Sequence, residues 1–166
     1  MSKDNESLLR PSALLTKYFP FEPTPGQAAF FSKMDYFLLL EPEKKPTFVL
    51  RGYAGTGKTS VISALVKALP KLSMRSLLLA PTGRAAKVMS DDSGRDAYTI
   101  HKIIYKPKDE DGSLGGGFIL QKNYYKGTVF IIDETSMLAD DGGMSGNLLG
   151  DLISFVFHGQ NNRLIL

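Results

Sequence analysis

The residues with the most recognisable chemistry lie in segment 52–59, Gly-Tyr-Ala-Gly-Thr-Gly-Lys-Thr. This segment matches the phosphate-binding loop pattern, in which two glycines separated by four residues are followed by lysine and then by threonine or serine. Because glycine has no Cβ, the backbone N–H groups of such a loop can turn inward around phosphate oxygens. The pattern therefore predicts a site for a nucleoside triphosphate.

The polar residues of this loop have expected roles. The helix that follows would direct its free N–H groups and the positive end of its dipole at the phosphates. Lys58 would reach the β- and γ-phosphates of ATP, and the Thr59 hydroxyl would ligate Mg²⁺. The predicted nucleotide-binding residues of the loop are Gly52, Tyr53, Ala54, Gly55, Thr56, Gly57, Lys58, Thr59 and Ser60.

A second motif supplies carboxylates. The apolar, β-prone run 128–132 ends in Asp133 and Glu134, as in the Walker B pattern of nucleotide hydrolases. Asp133 would hold Mg²⁺ at the end of a strand next to the phosphate loop, and Glu134 would act as general base on the attacking water. Lys58, Asp133 and Glu134 are therefore the candidate catalytic residues. The glutamate favours hydrolysis of ATP, and a nucleotide kinase is the alternative.

Gln27 allows two interpretations. The run Thr-Pro-Gly-Gln at 24–27 matches the start of a helix, with Thr24 as N-cap and Gln27 at the third position of a capping box. In the first interpretation the glutamine side chain only caps this helix. In the second, its amide offers a donor and an acceptor that match N7 and N6 of adenine.

The apolar pattern predicts the elements that would position these motifs. Buried strands are predicted at 48–50, 75–80, 128–134 and 163–166. Helices are predicted from residue 24 to before Pro42, at 58–69, around 85–89, at 99–105 and around 148–156. Strands that alternate with helices are typical of an α/β fold with a parallel sheet covered on both faces.

The remaining segments are predicted to be short or irregular. Residues 6–19 have leucines and aromatic residues at helical spacing, which indicates one or two short helices in an amino-terminal extension, 1–22. Residues 91–97 and 140–146 are predicted to be loops. Segment 107–127 is rich in turn-forming residues and is predicted to be a small inserted β-hairpin, with a disordered loop as the alternative.

Composition limits the chemistry and the location of the chain. Its 166 residues are 43% hydrophobic and 22% charged, and they include no cysteine, which excludes disulfides and cysteine-based zinc sites. We find no secretory signal and no apolar run near the roughly 18 residues that a membrane helix needs. The sequence therefore predicts no membrane partner and a cytoplasmic location.

The net charge of +3 is unevenly distributed. Residues 41–90 contain nine lysines and arginines and two glutamates, whereas residues 127–166 contain one arginine and five acidic residues. A basic region around a phosphate loop favours polyanionic partners. A basic face that only contacts solvent is the alternative.

Five motifs, taken in order, are similar to those of a known family. They are Phe-Glu-Pro-Thr-Pro-Gly-Gln at 21–27, the phosphate loop at 52–59, Ala-Pro-Thr-Gly-Arg-Ala-Ala-Lys at 80–87, Thr-Ile-His at 99–101 and Ile-Ile-Asp-Glu-Thr-Ser-Met at 131–137. Together they resemble the first motor lobe of superfamily 1 helicases of the RecD and Dda type, which move 5′ to 3′ on single-stranded DNA. The resemblance implies a RecA-like P-loop NTPase domain across 23–166, incomplete at its carboxyl end, in a helicase of recombination or repair.

The resemblance also implies roles for single residues. Gln27 would recognise adenine. Segment 107–127 would correspond to a small β subdomain that the family uses to separate the two strands of duplex DNA. The predicted DNA-binding residues, which fall where the family contacts the DNA backbone, are Pro81, Thr82, Gly83, Arg84, Thr99 and His101. A helix N-terminus with a nearby arginine suits phosphate physically, and plain N-capping by the two threonines is the alternative.

The family's motor has parts that these 166 residues do not contain. Its next motif, which senses the γ-phosphate, would begin just after Leu166, and a second lobe with an arginine finger would follow. Translocation needs two lobes that close and open on ATP. We therefore expect the chain alone to hydrolyse ATP at a negligible rate and to unwind nothing, with the second lobe as its partner. A non-catalytic, nucleotide-gated DNA-binding module is a further alternative.

Overall fold

The computed structural model describes residues 10–108, 117–138 and 147–166. In these ranges the chain forms six helices: α1 (Pro11–Tyr18), α2 (Pro25–Phe37), α3 (Lys58–Ala68), α4 (Gly83–Ser93), α5 (Ile100–Ile104) and α6 (Leu148–His158). It also forms seven strands there: β1 (Thr47–Phe48), β2 (Arg75–Ala80), β3 (Ala97–Thr99), β4 (Tyr105–Pro107), β5 (Phe118–Leu120), β6 (Thr128–Ile132) and β7 (Arg163–Ile165). None of these described helices is long and apolar enough to cross a membrane.

Five of the strands form one parallel sheet in the order β1-β7-β6-β2-β3. β2 and β6 pair along most of their length, with Leu78 opposite Ile131. The pairing of β1 with β7 extends beyond the short strand, because the Leu50 N–H donates to the Leu166 carbonyl at 2.8 Å. All five strands run in the same direction, so the loops that follow them meet at one side of the sheet, which we call the carboxyl edge.

Each face of the sheet has its own core, because side chains alternate between the two faces of a strand. On one face, α1 to α4 pack over a cluster that includes Leu78, Val129 and Ile131. On the other face, α5 and α6 pack over a cluster that includes Leu79 and Phe130. The predicted α/β class, with helices on both faces of a parallel sheet, is confirmed.

The start of α2 is fixed by the capping box that the sequence predicts. Thr24 Oγ1 accepts a hydrogen bond from the Gln27 N–H at 3.4 Å, and Gln27 Oε1 accepts one from the Thr24 N–H at 2.9 Å. Helix α1 docks on α2 through the Asp35 carboxylate, which accepts hydrogen bonds from the N–H and the hydroxyl of Ser12, each at 2.7 Å. Asp35 therefore satisfies a free N–H at the amino end of the neighbouring helix.

Two buried asparagines organise the opposite, amino-terminal edge of the sheet. Asn162 Oδ1 accepts a hydrogen bond from the Thr128 N–H, and its Nδ2 donates to the Tyr125 and Val156 carbonyls. Asn123 Nδ2 also donates to the Val156 carbonyl, at 3.3 Å. These amides satisfy backbone groups at the end of α6 and at the start of β6, which would otherwise be buried without partners.

Several predicted boundaries are wrong. Segment 91–97 is not a loop throughout, because α4 continues to Ser93 and residues 97–99 form the edge strand β3. The helix predicted at 99–105 ends at Ile104, because Tyr105 already pairs in β4. Helix α2, by contrast, ends before Pro42 as predicted, at Phe37, and a 3₁₀ turn spans Pro42–Lys44.

The strand that ends just before Asp133, β6, does not pair with β1, the strand that leads into the phosphate loop. β7 lies between β1 and β6. The two motif-bearing strands are therefore two strand spacings, or about 10 Å, apart. The loops that follow β1 and β6 still line one cavity, because both strands end at the carboxyl edge.

The inserted hairpin is confirmed in the residues that the structure describes. β4 and β5 pair antiparallel, with Tyr105 opposite Leu120, so the hairpin begins two residues earlier than predicted. The Tyr105 hydroxyl donates to the Asp151 carboxylate, which joins the hairpin to α6. The residues between β4 and β5 at 109–116, the predicted loop 140–146 and residues 1–9 lie outside the described ranges.

Candidate functional site

Apart from Gln27, which lies in α2, the predicted site residues are at the ends of four of the five parallel strands, at the carboxyl edge. The phosphate loop, residues 52–59, follows β1, and Asp133 and Glu134 follow β6. Pro81 follows β2 directly, and Thr99 is the last residue of β3. The parallel topology therefore places all of these motifs on one side of the sheet.

The phosphate loop and the acidic pair line one cavity of about 940 Å³. Lys58 and Thr59 of the loop and both acidic residues, Asp133 and Glu134, are among the residues that line it. Cavities of roughly 300–1,000 Å³ are typical of small-molecule sites. The cavity is thus large enough for a nucleotide, and both motifs line it.

The loop has the backbone conformation that its glycines predict. Gly55 and Gly57 have φ angles of 78° and 79°, in the left-handed region that favours glycine. A Cβ on Gly52 would lie only 2.7 Å from the Thr56 hydroxyl oxygen. That hydroxyl donates to the Tyr53 carbonyl at 2.7 Å, which closes the loop on itself.

Lys58 lies at the junction of the loop and α3. It is the first residue of α3, and Gly57 is the N-cap. Its Nζ donates to the carbonyls of Gly52 and Tyr53, the latter at 3.0 Å, so the side chain folds back over the loop. An ammonium group held there can form charge-assisted hydrogen bonds with phosphate oxygens in the cavity.

Gln27 contacts the phosphate loop in addition to capping α2. Its Nε2 donates to the Thr56 carbonyl at 3.1 Å. A Cβ on Gly57 would lie 2.7 Å from the same nitrogen, so the loop and the glutamine are closely packed. The interpretation of Gln27 as a cap alone is therefore wrong, because one amide joins the start of α2 to the loop.

Asp133 and Glu134 leave β6 through an uncommon backbone turn. The Asp133 N–H donates to the Leu79 carbonyl at 3.1 Å, which extends the pairing of β6 with β2 by one residue. Glu134 has a φ angle of 55°, which few residues with a Cβ adopt. Asp133 Oδ1 accepts a hydrogen bond from the Glu134 N–H at 2.9 Å. This bond stabilises the turn and does not involve the second carboxylate oxygen.

The donor set at the cavity fits a magnesium ion. Mg²⁺ prefers oxygen ligands and usually takes one or two from the protein, with waters and substrate phosphates as the others. The Thr59 hydroxyl and the Asp133 carboxylate are oxygen ligands of this kind, and both residues line the same cavity. The ion would therefore be shared between the protein and a bound phosphate chain.

The two predicted DNA-binding threonines are N-caps. Thr82 Oγ1 accepts a hydrogen bond from the Ala85 N–H at 3.2 Å, at the start of α4. Thr99 Oγ1 accepts one from the Lys102 N–H at 3.3 Å, at the start of α5. Their role as helix caps is confirmed, and contact with DNA remains a prediction.

The starts of α4 and α5 lie side by side. β2 and β3 are hydrogen-bonded neighbours, with Ala80 opposite Thr99, so the segments that follow these strands share one part of the carboxyl edge. Arg84 and His101 are exposed in these segments. The His101 ring lies 5.4 Å from the Tyr105 ring, which places the hairpin next to this surface.

The structure adds residues to the cavity that the sequence analysis did not assign. Arg51, Thr135 and Ser136 line it, and so does Leu166. The first three are adjacent in sequence to the two motifs, and this adjacency could have identified them as cavity residues. Leu166 had no such signal, because its place beside β1 depends on the order of strands in the sheet.

Comparison with known proteins identifies a family. The family described as AAA domain matches residues 41–155, more than half of the chain. The ATP-dependent DNA helicase dda of Enterobacteria phage T4 is 41% identical over 63 residues, which cover 37% of this chain and 14% of that protein. The ATP-dependent RecD2 DNA helicase of Deinococcus radiodurans is 33% identical over 96 residues, which cover 55% of this chain and 12% of that protein.

A third relative matches a larger share of the chain. An uncharacterized protein of Methanocaldococcus jannaschii is 32% identical over 131 residues, which cover 70% of this chain and 11% of that protein. The aligned segments span only 11–14% of the length of these three relatives. The family match includes both the phosphate loop and the acidic pair. The chain therefore belongs to the AAA domain family, and its predicted resemblance to the first motor lobe of RecD- and Dda-type superfamily 1 helicases is confirmed.

Proposed function

We propose that this chain is the ATP-binding and ATP-hydrolysing motor lobe of a DNA helicase that moves 5′ to 3′ on single-stranded DNA. The observation that best supports this proposal is the single cavity lined by Lys58, Thr59, Asp133 and Glu134. The names of two relatives, both ATP-dependent DNA helicases, support the choice of helicase. Recombination or repair, a cytoplasmic location and a second motor lobe as partner are parts of the same proposal.

The loop residues 52–60 would bind the phosphate chain of ATP. Their backbone N–H groups and the amino end of α3 provide donors and a positive dipole for an anion. The Lys58 ammonium, which now donates to loop carbonyls, would turn to the β- and γ-phosphates. Gln27 would recognise adenine through its amide.

Hydrolysis needs a base at the γ-phosphate. Glu134 would accept a proton from the attacking water, and its neighbour Asp133 would hold the metal ion together with Thr59. Mg²⁺, when bound, supplies positive charge that offsets the charge developing on the phosphate oxygens. Asp133 also accepts the Glu134 N–H, so the metal ligand helps to orient the base.

Single-stranded DNA would bind across the starts of α4 and α5. Two neighbouring helix N-termini with an exposed arginine suit a phosphate backbone. The contact residues would be Pro81, Thr82, Gly83, Arg84, Thr99 and His101. This surface and the cavity lie at the same edge of the sheet. A conformational change caused by hydrolysis at the γ-phosphate would therefore pass through few elements before it affected the bound DNA.

The nucleotide part of the proposal is tested by calorimetric titration of the 166-residue chain with Mg²⁺–ADP and Mg²⁺–ATP. Lys58→Ala should weaken binding by roughly tenfold or more, since a charged hydrogen bond is lost. Lys67→Ala is the matched control, because Lys67 is exposed near the far end of α3. No uptake of either nucleotide at millimolar concentration, or an equal effect of both variants, would contradict the proposal.

The DNA part is tested by fluorescence anisotropy with a labelled single strand at two salt concentrations. Arg84→Ala should weaken binding and reduce its salt dependence, because one phosphate contact is lost. Arg75→Ala is the control, since Arg75 is exposed at the opposite end of β2. Equal losses in the two variants would indicate a general charge effect and contradict the assigned surface.

A nucleotide kinase remains the second candidate, because a phosphate loop also serves phosphoryl transfer. Radiolabelled γ-phosphate distinguishes the two. In a protein that joins this chain to the second motor lobe, a helicase would release the label as free phosphate, whereas a kinase would transfer it to an acceptor. The polarity of movement is tested with the same two-lobe protein on duplexes that have a single 5′ or 3′ tail, and unwinding from the 3′ tail alone would contradict 5′-to-3′ movement.

A further inference from the structure

We propose that Gln27 is a positioning residue for the phosphate loop, so that the same side chain holds the loop in its binding conformation and faces the base. The inference rests on the proposed nucleotide site and extends it. Adenine recognition alone requires Gln27 only when a nucleotide is bound. A positioning role requires it in the nucleotide-free protein as well.

The contacts of the Gln27 amide connect two elements that are distant in sequence. Oε1 accepts the Thr24 N–H at 2.9 Å, and Nε2 donates to the Thr56 carbonyl at 3.1 Å, 29 residues away. Gly57 packs so closely that a Cβ there would lie 2.7 Å from Nε2. The amide is thus fixed at one end by the capping box of α2 and at the other by the loop.

The loop has little other support from outside. The other hydrogen bonds that the structure describes for residues 52–57 come from the loop itself and from the first turns of α3. Thr56 lies between Gly55 and Gly57, which both have positive φ, so its backbone has flexible neighbours on either side. A bond from Gln27 to the Thr56 carbonyl therefore restrains the loop where it is least restrained by its own sequence.

Positioning and base recognition are compatible in one amide. A glutamine side chain has two N–H donors and two acceptor lone pairs. The two observed bonds use one of each, which leaves one donor and one acceptor for N7 and N6 of adenine. Contact with the base would therefore involve the same Gln27 amide that restrains Thr56. Thr56 lies two residues before Lys58, so binding of the base could influence the position of the loop.

The test compares two ligands, Mg²⁺–ADP and base-free Mg²⁺–tripolyphosphate, by calorimetry on the 166-residue chain. Gln27→Ala should weaken tripolyphosphate roughly two- to tenfold for one lost hydrogen bond, and ADP by at least that factor, because the contact with its base is lost as well. Thr24→Ala is the matched control: it removes the cap that receives the Gln27 N–H and leaves the bond to Thr56. It should leave tripolyphosphate binding within about twofold.

Three results would overturn the positioning role. In the first, Gln27→Ala weakens ADP and leaves tripolyphosphate unchanged, which is the result expected of a residue that only reads the base. In the second, Thr24→Ala weakens tripolyphosphate as much as Gln27→Ala does, which would indicate a general effect of the α2 start. In the third, Gln27→Ala leaves both ligands unchanged.

Hydrogen exchange of the nucleotide-free protein tests the inference separately from the proposed function. Gln27→Glu keeps an oxygen for the Thr24 N–H but replaces the donor to Thr56 by an acceptor. Amides in residues 53–57 should exchange several-fold faster in Gln27→Glu and Gln27→Ala than in Thr24→Ala, while amides of α6 are unchanged. Unchanged exchange in the loop would refute the positioning role even if nucleotide binds, and failure of wild type to bind either ligand would refute the proposed function alone.

Discussion

Glu134 has a backbone conformation that is unfavourable for a residue with a Cβ. Its φ angle is 55°, and the Asp133 carboxylate holds the turn by accepting the Glu134 N–H. Strained backbones of this kind are often found at functional sites, where the surrounding structure maintains them. The strain at Glu134 lowers the stability of the fold, so its presence agrees with a functional role for this residue.

Replacement of Glu134 should separate strain from chemistry. Glu134→Gly should raise the free energy of unfolding by about 0.5–1 kcal/mol relative to Glu134→Ala, because glycine adopts positive φ without a steric cost. Both variants lose the carboxylate, so their difference isolates the backbone term. Urea unfolding measures it, and equal stability of the two variants would show that Glu134 is not strained.

Sequence spacing predicts the types of residue at the site better than their contacts. The phosphate loop and the Asp133–Glu134 pair were recognised because each motif is local in the chain. The bond from Gln27 to the Thr56 carbonyl was not predicted, because it joins residues 29 positions apart through the packing of α2 against the loop. The same holds for the bonds of Lys58 to its own loop, which depend on side-chain conformation.

At the scale of elements, strand β2 shows what local pattern predicts well. Its bounds, Arg75–Ala80, match the prediction, because an apolar run bounded by turn-forming residues identifies a buried strand. β3 was missed, since it has three residues, none fully buried, and pairs only with β2. The capping box at Thr24, unlike β3, could be predicted, because its signal is contained in four consecutive residues.

The end of α6 and the start of β6 depend on a residue that sequence analysis did not single out. Asn162 is 2% exposed and bonds to Thr128, Tyr125 and Val156. Asn162→Ala should lower the free energy of unfolding by about 2–3 kcal/mol, because buried backbone groups lose their partners. Denaturant unfolding measures the change.

Gln160→Ala is the control for this prediction, because Gln160 is an exposed amide two residues earlier. It should change the free energy of unfolding by less than about 0.5 kcal/mol, as exposed substitutions usually do. If Asn162→Ala were as mild as Gln160→Ala, the amide network at the amino-terminal edge would not contribute to stability as described.

At the scale of the whole molecule, the order of the strands in the sheet could not be predicted from the sequence. β7 lies between β1 and β6 although it comes last in the chain, and such pairing depends on the joint packing of distant segments. The fold class was predictable, because alternation of strands and helices is a global pattern. The result is an arrangement in which four of the five motifs reach the carboxyl edge, each from a different strand, while the fifth lies at the start of α2.

Two pKa shifts predict how global stability responds to alkali. Burial, with a smaller contribution from Tyr98, raises the pKa of Tyr125, and burial lowers the pKa of Arg163. The folded state therefore keeps the Tyr125 proton to a higher pH than the unfolded state does. Stability from Tyr125 is fully present below its unfolded pKa of about 10 and is lost as pH rises above it. Arg163 has the opposite sign, since the folded state releases its proton first.

Tyr125→Phe should reduce the fall in the free energy of unfolding between about pH 9 and pH 11. The variant keeps the ring, which packs against Phe130 and Phe155. Tyr124→Phe is the control, because Tyr124 is 77% exposed and should leave the alkaline slope unchanged. An identical slope in wild type and Tyr125→Phe would contradict the effect of burial on this phenol.

The proposed function requires the phosphate loop and the acidic pair to act on one metal–nucleotide complex. The most direct measurement is a titration of Mn²⁺, as a paramagnetic substitute for Mg²⁺, into the protein with ADP, followed by electron paramagnetic resonance. We predict that Thr59→Ala and Asp133→Ala each weaken Mn²⁺ uptake by about tenfold or more, as loss of a metal ligand should, whereas Asp92→Ala at the exposed end of α4 leaves it unchanged. Uptake that depends on only one of the two motifs, or on neither, would contradict the account.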